Sequence, residues 1–207
     1  PVRVAVLVSG SGTNLQAVIE AAEEGALDAK IVVVFSNKRE AYALSRAAKH
    51  AIPTEVLEAT SKDREAYDRE AATVIAKYAP DLLVFAGYMR IVTEAFVERF
   101  PDRIINIHPA LLPAFPGMHA QQQALDAGVK VTGCTTHFVR AAVDAGPVIL
   151  QARVPVEDGD TVETLTARIL VEEHKILPRT IQLFAEGRLK VEGSRVTVLP
   201  PGALRTP

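Results

Sequence analysis

A chain of 207 residues with 48% hydrophobic and 23% charged residues has the length and composition of one globular domain with a sizeable core. The formal net charge of -2 excludes a general electrostatic pull toward nucleic acid or anionic membrane, and no apolar run reaches the ~18 residues a membrane helix needs. One cysteine, Cys134, excludes an intrachain disulfide; with no recognisable signal peptide, a reducing, cytoplasmic setting is expected.

The first apolar run, VRVAVLV at Val2–Val8, is continuous rather than alternating, which predicts a strand buried on both faces of a parallel sheet. Leu15, Val18, Ile19 and Ala22 then recur at helical spacing and predict a helix over 13–24. IVVVF at 31–35 is a second strand, followed by a helix over 41–49 and a short strand, IPTEVL, at 52–57. A helix over 62–78 comes next, with Ser61 and Asp63 as capping candidates. LLVFAG at 82–87 is a strand, 93–99 a short helix and IINI at 104–107 a further strand. Regular β-α alternation of this kind predicts an α/β fold with a doubly wound, mostly parallel, Rossmann-like sheet.

Beyond residue 107 the character changes. NIHPALLPAFPG, from Asn106 to Gly117, cannot be helical, because each proline lacks a donor and clashes with the preceding turn; nor can it be an interior strand beyond about Pro109. A helix is expected over 119–127. Strands over 131–139 and 147–156, separated by RAAVDAG, are expected to add antiparallel at one edge of the sheet. A long amphipathic helix over 162–186 precedes a hairpin over 188–198 turned at Gly193. The reading is one domain over 1–199 with a poorly ordered, Pro/Gly-rich tail over 200–207.

Three places could carry chemistry. SGSGTN, from Ser9 to Asn14, follows the first strand and opens the first helix, where glycine-exposed backbone N–H groups suit a phosphate. A dinucleotide fits poorly, since Leu15 stands where the third glycine of the fingerprint belongs and FSNKRE lacks the ribose-binding acid. A plain tight turn is the structural alternative. Asn106 and His108, two apart at a strand end, project to one side. A fixed amide donor and a titratable imidazole suit a developing oxyanion with proton transfer; the alternative is a buried histidine satisfied by backbone. Asp144, in VDAGPV, is either a turn residue or a partner of His108, in which case it favours the imidazolium and makes His108 a better acid. The five histidines share no metal-ligand spacing, and no metal is expected.

SGSGTNLQA, FSNK, AGYMRI, NIHPALLPAFPG and VDAGPVILQ together resemble the folate-dependent formyltransferases, and in order and spacing those that formylate glycinamide ribonucleotide (GAR) in purine synthesis. The resemblance runs from about Val2 to Leu189. It implies transfer of the formyl group of 10-formyltetrahydrofolate, a co-substrate rather than a tightly bound cofactor, to the amine of GAR through a tetrahedral intermediate. In that resemblance Asn106 holds the oxyanion, His108 is the general acid and Asp144 its partner. Gly12, Thr13, Asn14 and Glu173 contact GAR. Arg64, Met89, Arg90, Ile91 and Val92, with Arg140, Ala141, Ala142 and Val143, form the folate side. Small molecules are the only partners implied, with no nucleic acid or membrane, in a monomer or homodimer. The sequence departs from the family at MHAQQQ (118–123), where basic residues are expected, and at the alanines of VRAAVD.

Overall fold

In the computed structural model, which describes residues 1–60, 63–141 and 144–202, the chain alternates strand and helix. In order come β1 (Val2–Val8), α1 (Thr13–Glu23), β2 (Ala29–Ser36), α2 (Tyr42–Lys49), β3 (Thr54–Val56), α3 (Arg64–Ala76), β4 (Leu82–Phe85), α4 (Glu94–Arg99) and β5 (Ile104–His108). Then follow α5 (Ala120–Ala127), β6 (Val131–Phe138), β7 (Val148–Pro155), α6 (Val162–Ala185), β8 (Leu189–Glu192) and β9 (Arg195–Val198). Seven strands form one sheet in the order β3-β2-β1-β4-β5-β6-β7, and β8-β9 form a separate hairpin. Strands β1 to β5 pair in parallel, while β6 and β7 add antiparallel beyond β5. The doubly wound sheet with antiparallel strands at one edge is therefore the observed architecture.

The continuous apolar runs are explained by burial on both faces. Val4, Val6 and Val8 of β1 pack with Leu15, Val18 and Ile19 of α1 and with Leu177 and Ile181 of α6. Ala5 and Leu7, between them in sequence, pack on the other face with Tyr67, Ala71 and Ile75 of α3 and Phe96 of α4. Each such large side chain contributes about 1.5–3 kcal/mol on burial. A smaller cluster of Cys134, Val154, Leu165 and Ile169 fastens β6 and β7 to α6.

Differences from the sequence expectation lie at element ends. The helix expected from 62 starts at Arg64, because the Asp63 carboxylate accepts from the Ala66 N–H (2.7 Å) and caps it; the other capping candidate, Ser61, lies outside the described residues, as do residues 203–207 of the expected tail. The strand expected over 82–87 ends at Phe85, before Gly87 turns the chain at φ 77°. No helix among the described residues is long and apolar enough to cross a membrane.

In this strand order the chain runs outward in both directions from β1, through β2 on one side and β4 on the other. Such a reversal opens a crevice beyond the carboxyl ends of the strands.

Candidate active site

A cavity of about 1020 Å³ occupies that crevice, large enough for two metabolite-sized molecules side by side. One arm is floored by the loop after β1. Gly12 caps α1 in the left-handed region (φ 78°), and a Cβ there would lie 2.5 Å from that of Ala43, so α2 packs against the loop and only glycine fits. Arg46 of α2 donates from Nε to the Ser11 carbonyl (2.7 Å). Thr13 and Asn14 form the opening of α1, and the Asn14 amide donates to Glu173 Oε1 (3.1 Å) from α6. Gly12, Thr13, Asn14 and Glu173 thus meet along one wall. Glu173 is 5% exposed; burial pushes its carboxyl up from the usual range, with the Asn14 hydrogen bond acting in the opposite direction.

At the centre, Asn106 and His108 project from β5 into the cavity. Antiparallel pairing sets His137 of β6 opposite Asn106 and Thr135 opposite His108. The ring of His137 lies with Nδ1 3.0 Å from the Phe138 carbonyl and Nε2 3.2 Å from the Asn106 Nδ2. The Asn106 amide nitrogen carries two hydrogens, of which at most one can point to His137 Nε2, so the other is left to face the cavity. Asp144, at φ 50°, stands with Oδ2 3.5 Å from His108 Nδ1 and Oδ1 3.6 Å from His137 Nε2. The Gly117 N–H donates to Asp144 Oδ2 (2.7 Å). Burial pushes the Asp144 carboxyl up; His137, the Gly117 amide and the charge of His108 outweigh it and hold it below its ordinary value. His108, 5% exposed, donates from Nε2 to the Phe115 carbonyl (2.7 Å).

The proline-rich stretch is fastened from the neighbouring strands. The Thr135 hydroxyl donates to the Ala110 carbonyl (2.7 Å) and accepts from the Leu112 N–H (3.1 Å), and Gln151 of β7 donates to the Leu112 carbonyl (2.9 Å). The Leu112–Pro113 peptide is cis. Further on, Gln123 of MHAQQQ donates to the carbonyls of Pro116 (3.0 Å) and Met118 (2.8 Å).

The second arm is more apolar. Met89 and Ile91 are exposed large side chains on its wall. Arg64 donates to the Ile91 carbonyl (2.5 Å), and the Arg90 guanidinium stacks 3.9 Å from the Tyr67 ring centre. Val92 is buried in the core beside Phe96. Arg140 and Ala141 line the cavity, but the Arg140 guanidinium is engaged by Asp102 (3.1 Å) and the Gly193 carbonyl (3.3 Å) of the β8-β9 turn. Ala142 and Val143 lie outside the described residues.

Sequence reading gave His137 no role. Its only signal there is alternation: Thr135 and His137 share one face of β6, but which β5 residues they oppose is set by register. Among the described residues, no group of three or more His, Cys, Asp or Glu side chains is placed to hold a metal ion.

The sequence matches the formyl transferase family over residues 2–181. It is 49% identical over 189 residues to the phosphoribosylglycinamide formyltransferase of Escherichia coli, covering 91% of this chain and 89% of that one. It is 48% identical over 196 residues to the trifunctional purine biosynthetic protein adenosine-3 of Bos taurus, covering 94% of this chain but 19% of that protein. Its fold superposes on the crystal structure of glycinamide ribonucleotide transformylase 1 from Symbiobacterium toebii with a TM-score of 0.95 and 52% identity, over 96% of this chain and 94% of that one.

Proposed function

The chain belongs to the formyl transferase family, and from that premise we propose that it transfers the formyl group of 10-formyltetrahydrofolate to the amine of GAR. The observation that carries this reading is the convergence of Asn106, His108 and Asp144 between a phosphate-type loop and an apolar arm, within one cavity. The loop arm takes GAR: the N–H groups at Gly12–Asn14 receive the phosphate at a helix N-terminus, and Glu173 takes a donor group of the same substrate. The apolar arm takes the folate along residues 89–92, with Arg64, Arg140 and Ala141 at its sides.

The amine nitrogen attacks the formyl carbon, and the carbonyl oxygen becomes an oxyanion. Asn106 donates to that oxyanion an amide hydrogen that is not directed at His137. His108 is the general acid: it exchanges the Phe115 carbonyl for the reacting group and delivers a proton as the bond from carbon to N10 breaks. The attacking nitrogen releases one proton in the same sequence, so formyl-GAR and tetrahydrofolate leave with protons balanced. Asp144, ionised by its lowered carboxyl value, steadies the imidazolium of His108. The folate enters and leaves as a co-substrate.

The test is turnover with GAR and 10-formyltetrahydrofolate. Formation of tetrahydrofolate that requires GAR supports the reading; release of formate to water, or transfer only to another amine, rules it out. Asn106→Ala and His108→Ala should each lower kcat by about 100-fold or more with the fold retained.

A further inference from the structure

We infer that Ser9 is a positioning residue that fixes the distance between the two substrate arms. The last backbone rung between β1 and the chain after β4 is the Ala86 N–H to the Leu7 carbonyl (3.0 Å). Two residues beyond Leu7, the chain leaves the sheet and the two arms diverge. There the Ser9 hydroxyl, 6% exposed, donates to Asn37 Oδ1 (2.5 Å) beyond β2 and accepts from the Met89 N–H (2.8 Å) beyond β4. One side chain therefore ties the exit of β1 to the chain beyond β2 and beyond β4.

Each arm also has anchors of its own. The phosphate-type loop is held by the Ala43 N–H on the Gly10 carbonyl (3.0 Å) and by Arg46 on Ser11. The apolar arm is held by Arg64 on Ile91 and by Asp68, whose Oδ2 accepts from the Thr93 N–H (2.7 Å). Removing the Ser9 hydroxyl therefore leaves each arm built, but frees the Met89 N–H and changes where one arm stands against the other. For a reaction joining two bound molecules, that offset acts on the reacting distance, and a shift near 1 Å costs about 100-fold in rate.

The inference rests on the two-substrate reading above, and its experiment separates the two. Ser9→Ala should bind GAR alone and tetrahydrofolate alone with Kd within about threefold of the unaltered protein, yet lose about 10- to 100-fold in kcat with both substrates saturating. Ser9→Thr, which keeps the hydroxyl, should recover to within about threefold. An unchanged kcat in Ser9→Ala overturns the inference, as does a loss confined to the Kd of one substrate. No turnover by the unaltered protein overturns the functional reading and this inference with it; turnover by that protein with full kcat in Ser9→Ala overturns this inference alone. Should Ser9→Ala show no cooperative thermal transition, Asn37→Ala decides, because it removes the acceptor that orients the hydroxyl. It should lower kcat about 3- to 10-fold at unchanged Kd, and full kcat there overturns the inference.

Discussion

Thr135→Val separates the stiffness of the prolines from the hold exerted by their neighbours. Thr135 is fully buried (0% exposed), and its hydroxyl satisfies the Ala110 carbonyl and the Leu112 N–H. Valine has nearly the same shape but no hydroxyl, so both backbone groups lose their partner in a dry setting, at about 1–3 kcal/mol each. Gln151 also loses its bond to the Thr135 hydroxyl (3.0 Å) but keeps the Leu112 carbonyl as an acceptor, so its amide is not orphaned. The extra methyl returns somewhat less than 1 kcal/mol, leaving a net cost of about 1–5 kcal/mol. For a chain of this size that lowers Tm by about 2–20 °C, which a typical domain survives. The kinetic effect should exceed what stability explains, since the turn leads to Phe115, whose carbonyl holds His108. A drift near 1 Å there lowers kcat about 100-fold. Differential scanning fluorimetry and steady-state turnover on Thr135→Val, with Thr135→Ser as the hydroxyl-bearing control, decide the matter. A Val variant as stable and as fast as the Ser variant would refute the reasoning and return the loop's rigidity to the prolines alone.

Two further outcomes follow from the carboxylates. Glu173→Gln should raise Tm of the free protein at neutral and higher pH while weakening GAR binding. The native carboxyl lies above its unfolded value, so its contribution to stability is full below that unfolded value and is lost as pH rises through the native one; a Tm gain that does not grow with pH would contradict it. Asp144 has the opposite sign. Its native carboxyl lies below the unfolded value of about 3.9, so its contribution is complete above that pH and disappears as pH falls through the native value. The Tm gap between the unaltered protein and Asp144→Asn should therefore close on acidification, and a gap that persists at the acid end would remove the ionised carboxylate from its place between the two histidines.

The fold was legible because its signals are local. Val2–Val8 reads as a two-sided strand from its composition alone, and the structure buries its successive residues against α1 and α6 on one face and α3 and α4 on the other. The antiparallel placement of β6 and β7 follows from the short RAAVDAG link, since a parallel crossover needs a dozen residues or more. Element ends were less legible because they are decided by single groups: the Asp63 cap fixes where α3 begins, and the positive φ of Gly87 lies just past the end of β4.

The candidate site divides along the same line. SGSGTN and NIHP are contiguous, so their residue types carry the argument without a structure. Asn14 and Glu173 are 159 residues apart, and their meeting depends on how α6 packs against α1. His137 was hidden for a sharper reason: a slip of one residue in β6 would set Thr136 opposite Asn106 and turn His137 to the other face. The register is regular on the β5 side, but on the β7 side it shifts between Thr136 and His137. The extra residue, Ile149, is on β7, the strand that such an irregularity bends, while the β5–β6 pairing continues unbroken. Just beyond it, Gly146 passes so close to Phe138 that a Cβ would fall 1.6 Å from the Phe138 carbonyl oxygen, pinching the base of the loop that carries Asp144. The regular β5–β6 register sets His137 on Asn106, and the pinch returns Asp144 to within 3.6 Å of His137 and 3.5 Å of His108. Geometry around Asn106, His108 and Asp144 is thus set by two backbone features of the added antiparallel strands, outside the parallel β-α frame that the sequence displays most clearly.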